Sequence, residues 1–251
     1  MALLYIVLGS ANSGRRDVIA DLIRNGTDPD TETVTLYLPE GEDPCPADEV
    51  FGKLRNTTTA NWQMDEGTRM LAEAPAEGSD ILFFLTQGSS DPIDQLEAIH
   101  DWAVDQGNIE IGRIFTVLNS QLAANEKGTR AWYEACIHFS DIVFFNIRED
   151  IPNKWFKDFE DHYAKECFPC LFELVKKGRV RNAAELLYPE ARRMSLAFDD
   201  LDPSMADTEY EVEIEASSDE DDNDEGQVDP YFERLESGYR IKRLPDISKF
   251  L

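Results

Sequence analysis

Apolar residues in this chain gather in short unbroken runs separated by stretches in which they recur every three or four positions. Leu3–Leu8 is an unbroken run of strand length without alternation, so both of its faces are expected under protein; Ile81–Leu85 is a second continuous run, Ile111–Leu118 a third apolar strand, and Asp141–Phe145 a further buried one. Thr33–Leu38 (TVTLYL) joins them on its β-branched residues. The spacing predicts strands near 3–8, 33–38, 81–86, 112–118 and 141–146. Between them, Val18, Ile19, Leu22 and Ile23 mark a helix opening at Arg15, and Ile93, Leu96, Ile99 and Ala103 mark another. Asp91 is the expected N-cap of the second, with Pro92 as its first residue. Further helices are expected over Trp62–Ala74, over 121–139 and through the aromatic stretch from Trp155, where Phe156, Phe159, Tyr163 and Phe168 form a stripe.

Strand and helix alternating at this rhythm describe an α/β domain with a mostly parallel sheet covered on both faces, in three layers. Ligands of such sheets bind beyond the carboxyl ends of the strands, so the ends of the runs at Leu8, Leu85 and Phe145 are expected around one site.

The loop after the first run, Gly9-Ser10-Ala11-Asn12-Ser13-Gly14, places two glycines at the separation found in phosphate-binding loops of the form GxxxxGK[ST]. There, backbone N–H groups close around an anion at a helix start, a lysine reaches the outer phosphates and a hydroxyl holds magnesium. Here the lysine position is Arg15 and the hydroxyl position is Arg16. Arg15 retains a positive charge in a different geometry, and Arg16 has no lone pair for a cation.

Three stretches together resemble the CobW group of P-loop GTPases, relatives of the UreG and HypB metal-insertion chaperones: GSANSG at the loop, GSSDP after the 81–85 strand, and FSDIVFFNIRED around the 141–146 strand. The resemblance covers about residues 3–150. It implies a P-loop NTPase-like domain over 1–195, with GTP or GDP held weakly through Gly9, Asn12, Ser13, Gly14, Arg15, Arg16, Gly88, Asp91, Asn146 and Glu149. The departures from the family pattern are chemical. Where the family has an acid supporting magnesium this chain has Leu85; the base-reading motif keeps Asn146 but has Ile147 for lysine and Glu149 for aspartate. The family's CxCC is reduced to Cys45. The expectation is a pseudo-GTPase acting as a binding or regulatory protein, with no catalytic residue and no metal. The alternative is an active GTP-hydrolysing metallochaperone in which Arg15 replaces the lysine.

Composition adds the tail. The chain of 251 residues carries a formal charge of −27. More than half of that excess lies between Asp199 and Pro230, which has no Lys or Arg, so 196–228 is expected to be a disordered acidic linker. Such acidity disfavours nucleic acid and anionic membranes and favours a basic protein partner. The segment 229–251 mixes apolar with basic residues and is expected to dock, first on the parent domain, burying Tyr231, Phe232, Tyr239, Ile241 and Leu244. Four cysteines without a framework spacing, and no apolar N-terminal leader, suggest reduced thiols and a cytoplasmic setting. Cys167 and Cys170 form one CxxC, read as packing or as a thiol pair. The arginines from Arg179 to Arg193 are expected to meet acidic surface of the same molecule.

Overall fold

The computed structural model describes residues 1–65, 69–199 and 229–251. Eight strands form a single sheet in the order β4-β3-β2-β5-β1-β6-β7-β8. The inner strands are β1 (Ala2–Leu8), β2 (Val34–Pro39), β5 (Ile81–Leu85), β6 (Ile109–Asn119) and β7 (Ile142–Asn146), and each pair among their neighbours is parallel. These are the five strands that the apolar runs mark. They are buried along nearly their whole length, because in a parallel sheet every crossover lays a helix over one face or the other.

On one face, α1 (Arg15–Gly26) packs with the short α2 (Asp48–Phe51) and α7 (Ala183–Leu186) over Tyr5, Val7, Leu36, Phe83, Phe115 and Phe144. Tyr5 stacks between Phe83 and Phe115 at ring distances of 5.2 and 5.8 Å and donates its hydroxyl to Leu187 O. On the other face, Trp102 of α3 (Pro92–Gln106) meets Tyr37 and Phe84, and α6 (Asn153–Lys165) sets Phe156 and Phe159 against Phe145. The α/β architecture with a mostly parallel, doubly covered sheet is thus present.

Four local expectations are corrected. Trp62–Ala74 is not a helix: β3 (Thr57–Met64) adds parallel to β2, and β4 (Met70–Ala72) adds antiparallel to β3. The β-branched Thr57-Thr58-Thr59 run favours the extended chain, and only Trp62 of β3 is buried, so no apolar run announces the strand. The helix expected over 121–139 is divided into α4 (Ser120–Asn125), a 3-10 turn at Lys127–Thr129, and α5 (Arg130–His138). Gly128 sits at the break, where a Cβ would lie 2.5 Å from Phe250 Cζ. The aromatic helix ends at Lys165, a positive φ at Cys167 and the ring of Pro169 turn the chain, and β8 (Leu171–Leu174) joins the sheet parallel to β7. The fourth correction concerns the tail: Tyr231 is buried, but Tyr239 and Ile241 are 66% and 49% exposed.

The described chain divides into two compact units, Met1–Met194 with Leu244–Leu251, and Ser195–Arg243. Within the first, a 3-10 turn at Ile247–Phe250 packs on the Lys127–Thr129 turn, and Ile247 is buried. Within the second, Lys242 Nζ lies 3.7 Å from the Tyr231 ring centre, and Phe198 meets Phe232 at 5.5 Å. The linker expectation for 200–228 lies outside the described residues. At the amino ends of the strands, Asp141 is fully buried and accepts from Ile114 N (2.6 Å), Arg192 N (2.5 Å) and Arg193 Nη1 (2.8 Å). Of the arginines between 179 and 193, Arg193 thus meets a buried acid rather than acidic surface, while the Arg192 guanidinium pairs with Glu190. No helix among the described residues is long and apolar enough to cross a membrane.

Candidate functional site

The carboxyl ends of β1, β5 and β7 converge as the sheet order requires, and the Gly9–Gly14 loop lies among them. Each contact there is close enough to demand a glycine or a small side chain. A Cβ on Gly9 would stand 2.4 Å from Val117 O, one on Gly14 2.3 Å from Asn146 Nδ2, and one on Gly88 2.2 Å from Ala11 N. Gly9 and Gly14 also have φ of 135° and 81°, which L side chains rarely adopt. Ala11 N donates to Gly88 O at 2.9 Å, and Asn146 Nδ2 donates to Ser13 O at 2.8 Å. The three motif stretches are therefore physically knitted around one loop.

Arg15, in the lysine position, turns away from solvent and is 4% exposed. Its Nη1 donates to Thr86 O, and its Nη2 donates to Glu42 Oε1 at 2.7 Å. Gly88 N donates to that same oxygen, also at 2.7 Å. Arg16 completes the cluster: Nη2 reaches Glu42 Oε2 at 3.3 Å, while Nη1 donates to Asp48 Oδ2 at 2.6 Å and to Asp43 O at 3.2 Å. Asp48 Oδ2 also accepts from Cys45 N at 2.8 Å. The loop that follows β2 is thus folded down onto the phosphate-type loop by two arginines. Burial pushes the Arg15 pKa downward, and the neighbouring Glu42 carboxylate opposes that shift.

Two clefts flank this cluster. One of about 440 Å³ is bounded by Asn12, Gly14, Arg16, Glu42, Cys45 and Ser89 among others. The second, about 300 Å³, is lined by Asn146, Glu149, Lys176, Lys177 and Gly178. Gly14, Asp17 and Ile147 line both, so the clefts adjoin across the start of α1. Burial raises the Asp17 carboxyl. Ile147 adopts a φ of 48°, uncommon for a β-branched residue, at the boundary between the two.

The structure brings Gly9, Asn12, Ser13, Gly14, Arg15, Arg16, Gly88, Asn146 and Glu149 to this end of the sheet. Asp91 caps α3, accepting from Ile93 N at 2.8 Å. The Ser10 hydroxyl shares a hydrogen bond with Tyr133 Oη at 2.8 Å, and burial raises the Tyr133 phenol. The two positions that the resemblance assigns to magnesium offer it no ligand side chain. Arg16 offers only donors, and Leu85 is wholly buried with its carbonyl accepting from Trp62 Nε1 at 2.9 Å. Among the described residues no group of three or more His, Cys, Asp and Glu is placed to hold a metal ion. Cys167 is exposed and Cys170 is buried, its thiol pushed up to about 12 by burial.

Glu42, Asp48, Thr86 and Tyr133 are site residues that sequence reading missed. A signal existed for the first two, since two arginines standing where Lys and Ser/Thr are usual need counter-charges, and the acid-rich loop after β2 supplies them. Which acid pairs with which arginine is a matter of three-dimensional reach.

No family model matches the sequence, and no curated protein matches it. Among solved structures, the chain is similar to a zinc-bound triple mutant of the YjiA GTPase, with a TM-score of 0.45 and 10% identity over 79% of this chain and 68% of that one. It is also similar to the zinc-bound YjiA GTPase from E. coli, with a TM-score of 0.41 and 7% identity over 73% of this chain and 62% of that one.

Proposed function

We propose that this chain is a pseudo-GTPase, a P-loop protein that works by binding rather than by hydrolysis. The observation that carries the reading is the pairing of Arg15 and Arg16 with Glu42 and Asp48, which directs the loop's cationic side chains at the protein's own carboxylates. Phosphoryl transfer is catalysed almost entirely by positioning and electrostatic stabilisation, to which magnesium contributes several kcal/mol. With arginine and leucine at the positions that would support the ion, the transition state loses stabilisation worth several kcal/mol, roughly a thousandfold in rate.

What remains is a scaffold that holds three loops in a fixed arrangement, as a binding or regulatory protein requires. The acidic exterior supports a basic protein partner, and the four free cysteines suit a reducing, cytoplasmic compartment. The test is turnover of GTP and ATP by the full chain, with and without magnesium. We expect no phosphate release above the background of an Arg15→Met variant. Magnesium-dependent hydrolysis abolished by that substitution would establish an active enzyme using arginine for lysine.

A further inference from the structure

Glu42 is placed where a ligand would be. Its Oε1 is held at 2.7 Å by the side chain in the lysine position and at 2.7 Å by the Gly88 amide, the group that faces the loop from β5. In a phosphate-binding loop the side chain after the second glycine reaches the outer phosphates. An anion gripped jointly by that side chain and by the facing amide therefore marks the outermost phosphoryl position, and here the anion is a carboxylate of the protein. We propose that Glu42 substitutes for the terminal phosphoryl group of a nucleotide, so that the site accepts a nucleoside diphosphate and refuses the triphosphate. This rests on the reading that the Gly9–Gly14 loop keeps its scaffold for binding.

Donors for the inner phosphates remain. α1 begins at Arg15 with no side-chain cap at Gly14, so its first N–H groups have no intrahelical acceptor. The Ser13 hydroxyl is fully buried inside the loop, 3.1 Å from where a Cβ on Gly9 would lie, and has no hydrogen-bond partner. A buried hydroxyl without a partner is costly unless a ligand satisfies it. The cleft beside Asn12 and Ser89 shares Gly14, Asp17 and Ile147 with the one lined by Asn146 and Glu149, so a place for the base of a phosphate ester adjoins the loop. A third phosphoryl group would have to share Arg15 and the Gly88 amide with a carboxylate of like charge, and two anions cannot both occupy hydrogen-bond distance of the same donors.

The test is titration calorimetry on the full chain with GDP, GTP, ADP, ATP and pyrophosphate. The wild type should bind the better of the two diphosphates at least tenfold more tightly than its triphosphate. Glu42→Gln, which keeps the shape and removes the charge, should cut that preference at least fivefold, chiefly by improving the triphosphate. Glu42→Asp, which keeps the charge but draws the carboxylate back by one methylene, should fall between them, and it serves if the Gln variant melts too early for titration. A preference unchanged by both substitutions would overturn the assignment, as would triphosphate binding by the wild type at least as tight as diphosphate. So would the failure of every phosphate compound to bind any of the three proteins, and that result would leave the absence of hydrolysis untouched. Hydrolysis would instead refute the non-enzymatic reading without bearing on the affinity ratio.

Discussion

Removing Arg15 and removing Glu42 should have unequal costs, and the inequality follows from what each leaves behind. Arg15 is 4% exposed and Glu42 is 14% exposed, so this is an ion pair largely withdrawn from water. Breaking such a pair from one side usually costs about 3–5 kcal/mol, because the surviving charge stays buried. In Glu42→Gln the surviving charge is Arg15, left with neutral acceptors only, Thr86 O and the amide oxygen of the new side chain, so the expected loss is about 3 kcal/mol. In Arg15→Met the survivor is Glu42, which keeps the Gly88 amide and Arg16, and the expected loss is about 1–2 kcal/mol. The double variant should lose only about 2 kcal/mol, leaving a coupling of about 2–3 kcal/mol. Urea unfolding followed by fluorescence of the buried Trp62 and Trp132 measures all four corners of the cycle. A slope of about 2–3 kcal/mol per molar turns the Gln loss into a midpoint shift of about 1 M. Losses that add to within about 0.5 kcal/mol would refute the idea that this pair fastens the 40–48 loop to the phosphate-type loop.

Four further outcomes are expected. The Tyr5 phenol, raised by burial to about 12, is neutral in the fold at a pH where the unfolded chain ionises it. The unfolded state then holds fewer protons, so stability should fall as pH rises from about 10 towards 12, and Tyr5→Phe should flatten that decline in alkaline melting curves. Asp141→Asn removes the buried charge that Arg193 Nη1, Ile114 N and Arg192 N share and should cost about 3–5 kcal/mol in chemical unfolding. Gly88→Ala drives a methyl into Ala11 N and should cost about 1–3 kcal/mol, measured the same way, while weakening any phosphate binding. Deleting Leu244–Leu251 removes buried Ile247 and the Phe250 ring over Gly128, and should lower stability by at least about 1.5–3 kcal/mol, seen as a lower melting temperature.

The sheet was legible where burial on both faces writes an uninterrupted apolar run. β1, β5 and β7 declare themselves that way, β6 does so in part despite Arg113 and Thr116, and β2 through its β-branched residues. β3 does not, because its exposed and half-exposed polar side chains break the run, and β8 is four residues, three of them apolar and partly exposed, shortly after a helix of similar composition. Asp91 was legible as a cap because its role is settled within two residues of sequence. Glu42 was not, since it meets Arg15 across 27 positions, and only the way β2 lies beside β5 decides that this acid reaches both Arg15 and the Gly88 amide. The tail expectation separated for a similar reason. Ile247 is buried with the main unit, whereas Tyr239 and Ile241, eight and six residues earlier in an apolar-basic mixture that reads alike, are exposed.

The return of Leu244–Leu251 to the unit that ends at Met194 makes the acid-rich stretch between them a closed loop rather than a free end. Its carboxyl anchor is held at an effective concentration set by chain continuity. A single nick anywhere in that loop would turn the anchor into a separate peptide, bound only as tightly as its few contacts around Ile247 and Phe250 allow and lost on dilution. One peptide bond, remote from Gly128, thus governs whether that surface stays covered.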